Sequence, residues 1–234
     1  MLTPWRERVK FGLEWGITAC TACVTVPVVG ALGVAVMATS KGGPLYPSQR
    51  LGRGGRVFDC LKLRTMVVDA PVLISDDDKT VVTSSDSRVT PLGRILRTGL
   101  DEKPQLLNVL RGDMGLIGPR PDTDWMLPRY TENIRRRLAI RPGITGLSQV
   151  MDGAQSLSTA QNYALDVWYI DNHSFRLDAW IAATTAFYMM GCKSVGRGMQ
   201  ERMERRGVLD AEDFRPLPSD SAASIADTAA NSLS

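Results

Sequence analysis

The chain of 234 residues is poor in the side chains from which most soluble catalytic sites are built. It carries one histidine, His173, which excludes a multi-histidine metal centre and ties any Ser-His-Asp arrangement to that single position. It has four cysteines. Cys20 and Cys23 form a C-x-x-C, but inside an apolar run and with no second pair nearby, so they read as small helix-packing residues. No disulfide framework is suggested, which fits a reducing compartment. Charge of one sign is scarce as well: 28 Lys and Arg against 25 Asp and Glu leave a net +3, which demands no nucleic-acid partner. The P-loop signature G-x-x-x-x-G-K-[ST] and the dinucleotide signature G-x-G-x-x-G are both missing. Apolar residues are plentiful, at 44%, too many for a disordered chain, and the length suits one core rather than two.

The apolar residues are concentrated. From Trp15 to Thr39 there is no charge, with Lys10 and Glu14 before the run and Lys41 after it. A straight helix of that length covers about 37 Å, more than a hydrocarbon core of about 30 Å. The run is long for a signal peptide, and Ala38-Thr39-Ser40 is a poor cleavage site. Pro27 lies near its middle, where the lost donor and the ring clash predict a kink, and Thr25 is placed to satisfy a freed carbonyl. Arg6, Arg8 and Lys10 precede the run and Lys41, Arg50, Arg53 and Arg56 follow it, so the positive-inside rule wants both ends on the cytoplasmic side. A helix broken at Pro27 that enters and leaves one leaflet satisfies proline and flanks together; a plain span satisfies length alone.

Beyond the run, Leu45-Tyr46 and Val57–Leu63 suit a short hairpin closed by Gly52, Gly54 and Gly55. Residues 69–88, with Asp76-Asp77-Asp78 and Ser84-Ser85-Asp86, read as a solvated loop. Helical periodicity appears over 89–98, 101–111, 124–139, 158–171 and 177–190. The third of these carries Arg135, Arg136 and Arg137 and reads as a solvated or lipid-facing basic helix. The last two carry Trp168, Tyr169, Trp180, Phe187, Tyr188, Met189 and Met190, which serve equally as core or as an interfacial stripe. The sequence thus predicts a mostly α, α+β membrane-associated unit. Residues 1–41 form the re-entrant helix and basic flank, 42–200 the catalytic domain, and 201–234 a polar tail with little to bury.

The chemistry-bearing feature is Asp101-Glu102, followed by Pro104, at the expected start of a helix. Acidic residues there also serve as plain caps. Context adds more. Arg50, Lys62, Arg64, Arg97, Arg120 and Arg141 recur at glycine- or proline-bounded turns, and guanidinium forks bind phosphate oxygens. A carboxylate pair, several such cations and a membrane anchor together suggest a phosphate-bearing substrate at a bilayer surface, with magnesium shared between carboxylate and phosphate.

Lys62-Leu63-Arg64-Thr65-Met66, Leu100-Asp101-Glu102, Pro104-Gln105-Leu106, Asn108–Met114, Gly118-Pro119-Arg120-Pro121 and Arg141–Gly146 occur in that order. With Leu165–Tyr169, Asn172–Phe175 and Leu177-Asp178, they resemble the bacterial sugar transferase family, the monotopic polyprenyl-phosphate phosphoglycosyl transferases, in its minimal catalytic-core form. The resemblance covers residues 5 to 195. It implies transfer of a phosphosugar from a nucleotide diphosphosugar, usually a UDP-sugar, to a polyprenol phosphate such as undecaprenyl phosphate, with UMP released. It implies Asp101 as nucleophile and Glu102 as its partner, with Mg2+ at Asp101. Lys62, Arg64, Arg97, Arg120, Arg141, Asp166 and Asp178 are then expected in phosphate, nucleotide or structural roles. The expected location is the bacterial cytoplasmic membrane with the site on its cytoplasmic face, where lipid-facing surfaces also suit a homo-oligomer. Two features depart from the family pattern: the stretch from Gly93 to Asp101 is one residue short, and Lys103 replaces an apolar residue. They are the only support for the alternative of an inactive membrane-anchored scaffold.

Overall fold

A computed structural model describes residues 4–71, 73, 86–152, 157–192 and 196–218. The Asp76–Asp78 run, Ser84, Ser85 and residues 219–234 lie outside the described residues. Helix α1 (Pro4–Thr39) is followed by an antiparallel hairpin, β1 (Leu45–Leu51) and β2 (Val57–Leu63), in which Leu45 faces Leu63 and Leu51 faces Val57. Next come α2 (Pro91–Leu96), α3 (Gln105–Arg111) and β3 (Gly115–Ile117). After them stand α4 (Glu132–Arg135), β4 (Gly143–Thr145), α5 (Leu147–Met151), α6 (Thr159–Asp171), α7 (Phe175–Met189) and α8 (Arg197–Arg205).

Helix α1 is long and apolar enough to cross a membrane, but it lies along the rest of the molecule. Glu7, Lys10, Glu14, Thr18 and Val36 are buried. Between them Ala22, Thr25 and Val29 border α3, and Leu32 packs with Leu63 and Leu96. The steps are three and four residues throughout, which is one face of a helix. The opposite side exposes Ile17, Val24, Val28, Val34 and Met37. The polar members of the stripe are all satisfied. Glu14 accepts from the Leu116 and Ile117 backbone N–H groups of β3 and pairs with Lys10, which also donates to the Ile117 carbonyl at 2.6 Å.

The expected break at Pro27 does not end the element: the helix runs through it uninterrupted. Packing on both sides, at Thr25 and Val29, holds the two halves against α3. The Thr25 hydroxyl donates to the Thr21 carbonyl at 3.0 Å, not to the Cys23 carbonyl that proline leaves unpaired.

The main core joins α5, α6, α7 and α8 through Leu147, Leu165, Tyr169, Ile181 and Met203. The parallel pair β3–β4 sets Gly115 beside Gly143 and Ile117 beside Thr145. This approach needs glycine, since a Cβ on Gly143 would sit 2.1 Å from the Gly118 nitrogen. The expected helix over 124–139 is instead a 3-10 segment (Asp124–Arg129), α4, and a second 3-10 turn (Arg136–Ala139). Pro128 and the Thr131 cap, whose hydroxyl accepts from the Ile134 N–H, divide it. The aromatic stripe splits by role: Tyr169 is buried and Trp168 and Trp180 pack on the core, whereas Phe187, Met189 and Met190 are exposed. The expected tail is shorter at its start. Residues 201–218 are folded, with Met203, Leu209 and Ala211 buried and the Leu217 N–H donating to the Arg129 carbonyl at 2.9 Å. Three apolar residues in a charged stretch suffice to dock it.

Candidate active site

Asp101 and Glu102 do not cap α3. They occupy the turn between α2 and α3, whose first helical residue is Gln105. Arg97 to Pro104 is turn, so a one-residue difference in length there rotates nothing by a helical 100°. The turn is pinned at both ends: the Asp101 N–H donates to the Leu96 carbonyl, and the Asp101 carbonyl accepts from the Leu63 N–H at 2.9 Å, which sets the pair against the end of β2. Asn108 on α3 completes the docking. Fully buried, it accepts from the Leu61 N–H and donates to the Asp59 carbonyl at 2.8 Å.

Lys62 on β2 meets Glu102 at 2.8 Å, and Arg120 from the Gly118–Pro121 loop meets the same oxygen at 3.4 Å. Arg97 reaches the Thr65 hydroxyl at 3.1 Å and contributes positive field at Asp101. The Asp101 carboxylate itself has no ion-pair partner among the described residues. The two neighbours therefore differ in character. Burial, aided by the Glu102 charge, pushes the Asp101 carboxyl above its ordinary range against Lys62 and Arg97. Burial acts on Glu102 in the same sense, but Arg120 and Lys62 outweigh it and hold the group at about 2. A buried pair displaced in opposite directions is a frequent mark of a reactive site.

The sign of these shifts gives a test. Glu102 in the folded state titrates below its unfolded value of about 4.3, so the cluster stabilises the fold above that pH and the contribution is lost only as pH falls toward 2. Lys62→Met removes a cation that lowers both carboxyls. The acid-unfolding midpoint should then rise by about one pH unit, read by fluorescence between pH 2 and 6. An unchanged midpoint would mean that Lys62 does not act on the pair.

Other expected site residues lie elsewhere. Arg64 closes the turn after α1, donating to the Gly43 carbonyl at 2.9 Å and stacking on Tyr46. Arg141 pairs with Glu7, donates to the Gly112 carbonyl and covers the Phe11 ring at 4.0 Å, which fastens the start of α1. Asp178 is buried between Tyr169 at 2.6 Å and His173 at 2.8 Å, so the lone histidine belongs to a core contact. Asp166 is buried against Arg137 at 2.8 Å and Ser148 at 2.7 Å. Arg137 corrects the reading of a solvated basic run. It is buried, bonds Asp122 at 2.7 Å and the Arg120 carbonyl at 2.8 Å, and lies over the Tyr163 ring at 4.3 Å. Arg137 and Asp166 thus support the loop that carries Arg120. Arg50 belongs with this region: it donates to the Pro121 carbonyl at 3.3 Å and feels the Arg120 charge. Lys103 makes no ion pair with either carboxylate among the described residues and lines a groove between α1 and α3.

No group of three or more metal-ligating side chains occurs among the described residues. Asp101 offers the one unpaired carboxylate of the dyad. That donor set fits an ion that takes one or two carboxylates and completes its shell with substrate phosphate and water.

The chain is similar to known sugar transferases. A family profile described as "Bacterial sugar transferase" matches residues 5–192. The "Uncharacterized sugar transferase EpsL" of Bacillus subtilis is 39% identical over 72% of this chain and 79% of its own length. The "UDP-glucose:undecaprenyl-phosphate glucose-1-phosphate transferase" of Caulobacter vibrioides is 39% identical over 77% of this chain and 68% of its own. The "Undecaprenyl-phosphate galactose phosphotransferase" of Salmonella typhimurium is 38% identical over 63% of this chain, which spans only 34% of that enzyme.

Proposed function

We infer that this chain, which belongs to the bacterial sugar transferase family, is a phosphoglycosyl transferase acting between a nucleotide diphosphosugar and a polyprenol phosphate. The carrying observation is the unpaired, half-buried Asp101 carboxylate beside a Glu102 that two cations keep ionised. In this reading the Asp101 oxygen attacks the sugar-bearing phosphorus. The bond to the other phosphate breaks, and nucleoside monophosphate departs with the electron pair. The phosphosugar, now held on Asp101 as an acyl phosphate, is attacked at phosphorus by a phosphate oxygen of the lipid; the new diphosphate bond forms, the Asp101 O–P bond breaks, and the carboxylate is regenerated. Splitting the transfer lets a soluble donor and a lipid acceptor use the site in turn. Arg120 and Lys62 favour the negative charge brought by the diphosphate, and Arg97 adds to that field. Mg2+ held through Asp101 would offset diphosphate charge.

The packing of α1 supports the membrane arrangement in this reading. A helix crossing the bilayer would carry a stretch with no contact to the domain. Here the inward stripe runs from Glu7 to Val36 and the outer side is apolar. This favours a helix that rests in one leaflet against the domain, without the break at Pro27 that the re-entrant path was expected to use, and a site at the cytoplasmic face of the inner membrane. The names of the relatives favour undecaprenyl phosphate as acceptor, a UDP-sugar as donor and exopolysaccharide assembly as the outcome.

The deciding assay uses protein in nanodiscs with undecaprenyl phosphate, Mg2+ and a panel of UDP-sugars. UMP is the expected product. Release of UDP would mean cleavage of the sugar–phosphate bond and would overturn the assignment.

A further inference from the structure

The groove between α1 and α3 has a character the donor site lacks. Ala22, Val26 and Val29 form one wall and Leu106, Leu107 and Leu110 the other. Its two hydroxyls are already spent on the helix backbone: Thr18 donates to the Glu14 carbonyl at 2.8 Å and Thr25 to the Thr21 carbonyl at 3.0 Å. Along those walls a sugar or nucleotide would find no free hydroxyl donor, whereas a hydrocarbon chain needs none. The one charged group at the groove is Lys103, half-buried and without an ion-pair partner among the described residues. A partly buried ammonium without a counter-ion is costly beside apolar walls, and an anion arriving with an apolar chain relieves that cost. Lys103 also sits two residues from Asp101 in the same turn.

We propose that the α1–α3 groove holds the first isoprene units of the lipid acceptor, with Lys103 pairing with its phosphate and delivering it toward Asp101. This rests on the phosphoglycosyl transferase reading for the identity of the acceptor. It commits to an amphiphile with an apolar chain and a terminal phosphate monoester, because the apolar lining includes one cation, from the turn that also carries Asp101. Lys103 then belongs to acceptor binding rather than to loss of activity.

The test reads binding alone, with no donor sugar present, so its result is separable from that of the UMP assay. A photoreactive polyprenyl monophosphate is incorporated into nanodiscs and the labelled peptides are mapped by mass spectrometry. Label is expected within residues 18–29 and 103–110, chased by unlabelled polyprenyl phosphate and not by polyprenol. Lys103→Leu should lower capture about tenfold, the scale of one charged hydrogen bond. Ala22→Trp, which fills the groove without touching the cation, should lower it as well. Label spread along the exposed side of α1, chased equally by phospholipid and indifferent to both substitutions, would overturn the proposal and leave the groove an ordinary lipid contact.

Discussion

Asp101→Asn is expected to abolish UMP release, with a loss of at least about 10^4-fold, the order found when a nucleophile that forms a covalent intermediate is removed. The amide is nearly the same size as the carboxylate and cannot form the acyl phosphate. The fold should hardly notice. The Asp101 side chain has no ion pair to lose, and its carboxyl is disfavoured as an anion by burial, so neutralising it relieves a cost. Two readouts separate chemistry from folding. Membrane abundance and thermal midpoint should match the wild type, and a phosphosugar adduct on the Asp101 peptide, seen by mass spectrometry for the wild type, should vanish. Normal cellular function with Asp101→Asn would favour the scaffold alternative. Glu102→Gln should behave differently, because its carboxylate is held by Lys62 and Arg120. Its loss releases both cations as well as impairing the reaction.

The parts of the molecule that were legible in the sequence are those governed by local rules. The charge-free run, the hairpin around Gly52–Gly55 and the two long helices α6 and α7 follow from composition, turn chemistry and periodicity. The ordered motifs pointed to Asp101 and Glu102. What periodicity could not reveal was pairing across distance. Arg137 and Arg136 are adjacent and identical in kind, yet one is buried beneath the Arg120 loop and the other lies at the surface. The motif leaves Asp166 open between a phosphate role and that of a structural partner for an arginine, and only the fold pairs it with Arg137. Asn108 gave no signal beyond its place in a motif, and only the docking of α3 on β2 shows its use. Likewise β3 and β4 are too short to show a strand period, and what specifies them is the bare backbone approach at Gly118 and Gly143.

The neighbouring arginines supply the second large effect. Arg137→Met should cost about 3–5 kcal/mol, because it strips the counter-charge from carboxylates that stay in the interior. Asp166 is 1% exposed and, among the described residues, bonded otherwise only to Ser148, and Asp122 shares the same guanidinium with Tyr130. Arg136→Met should cost no more than about 1 kcal/mol, since both members of the Arg136–Asp171 pair are near 40% exposed, at 42% and 37%. Thermal and denaturant midpoints of the two variants, prepared identically, test the contrast, and equal losses would mean that the buried Arg137 network holds the fold no more than the surface pair does. The stability loss should also reach the site. Arg137 donates to the Arg120 carbonyl, so at temperatures where the variant is still folded its KM for the nucleotide sugar should rise more than its kcat falls. Arg137→Lys keeps the charge but loses the fork that spans Asp122, Asp166 and the Arg120 carbonyl. It should recover part of the stability and little of the donor affinity, which separates neutralising the buried carboxylates from holding Arg120 in place.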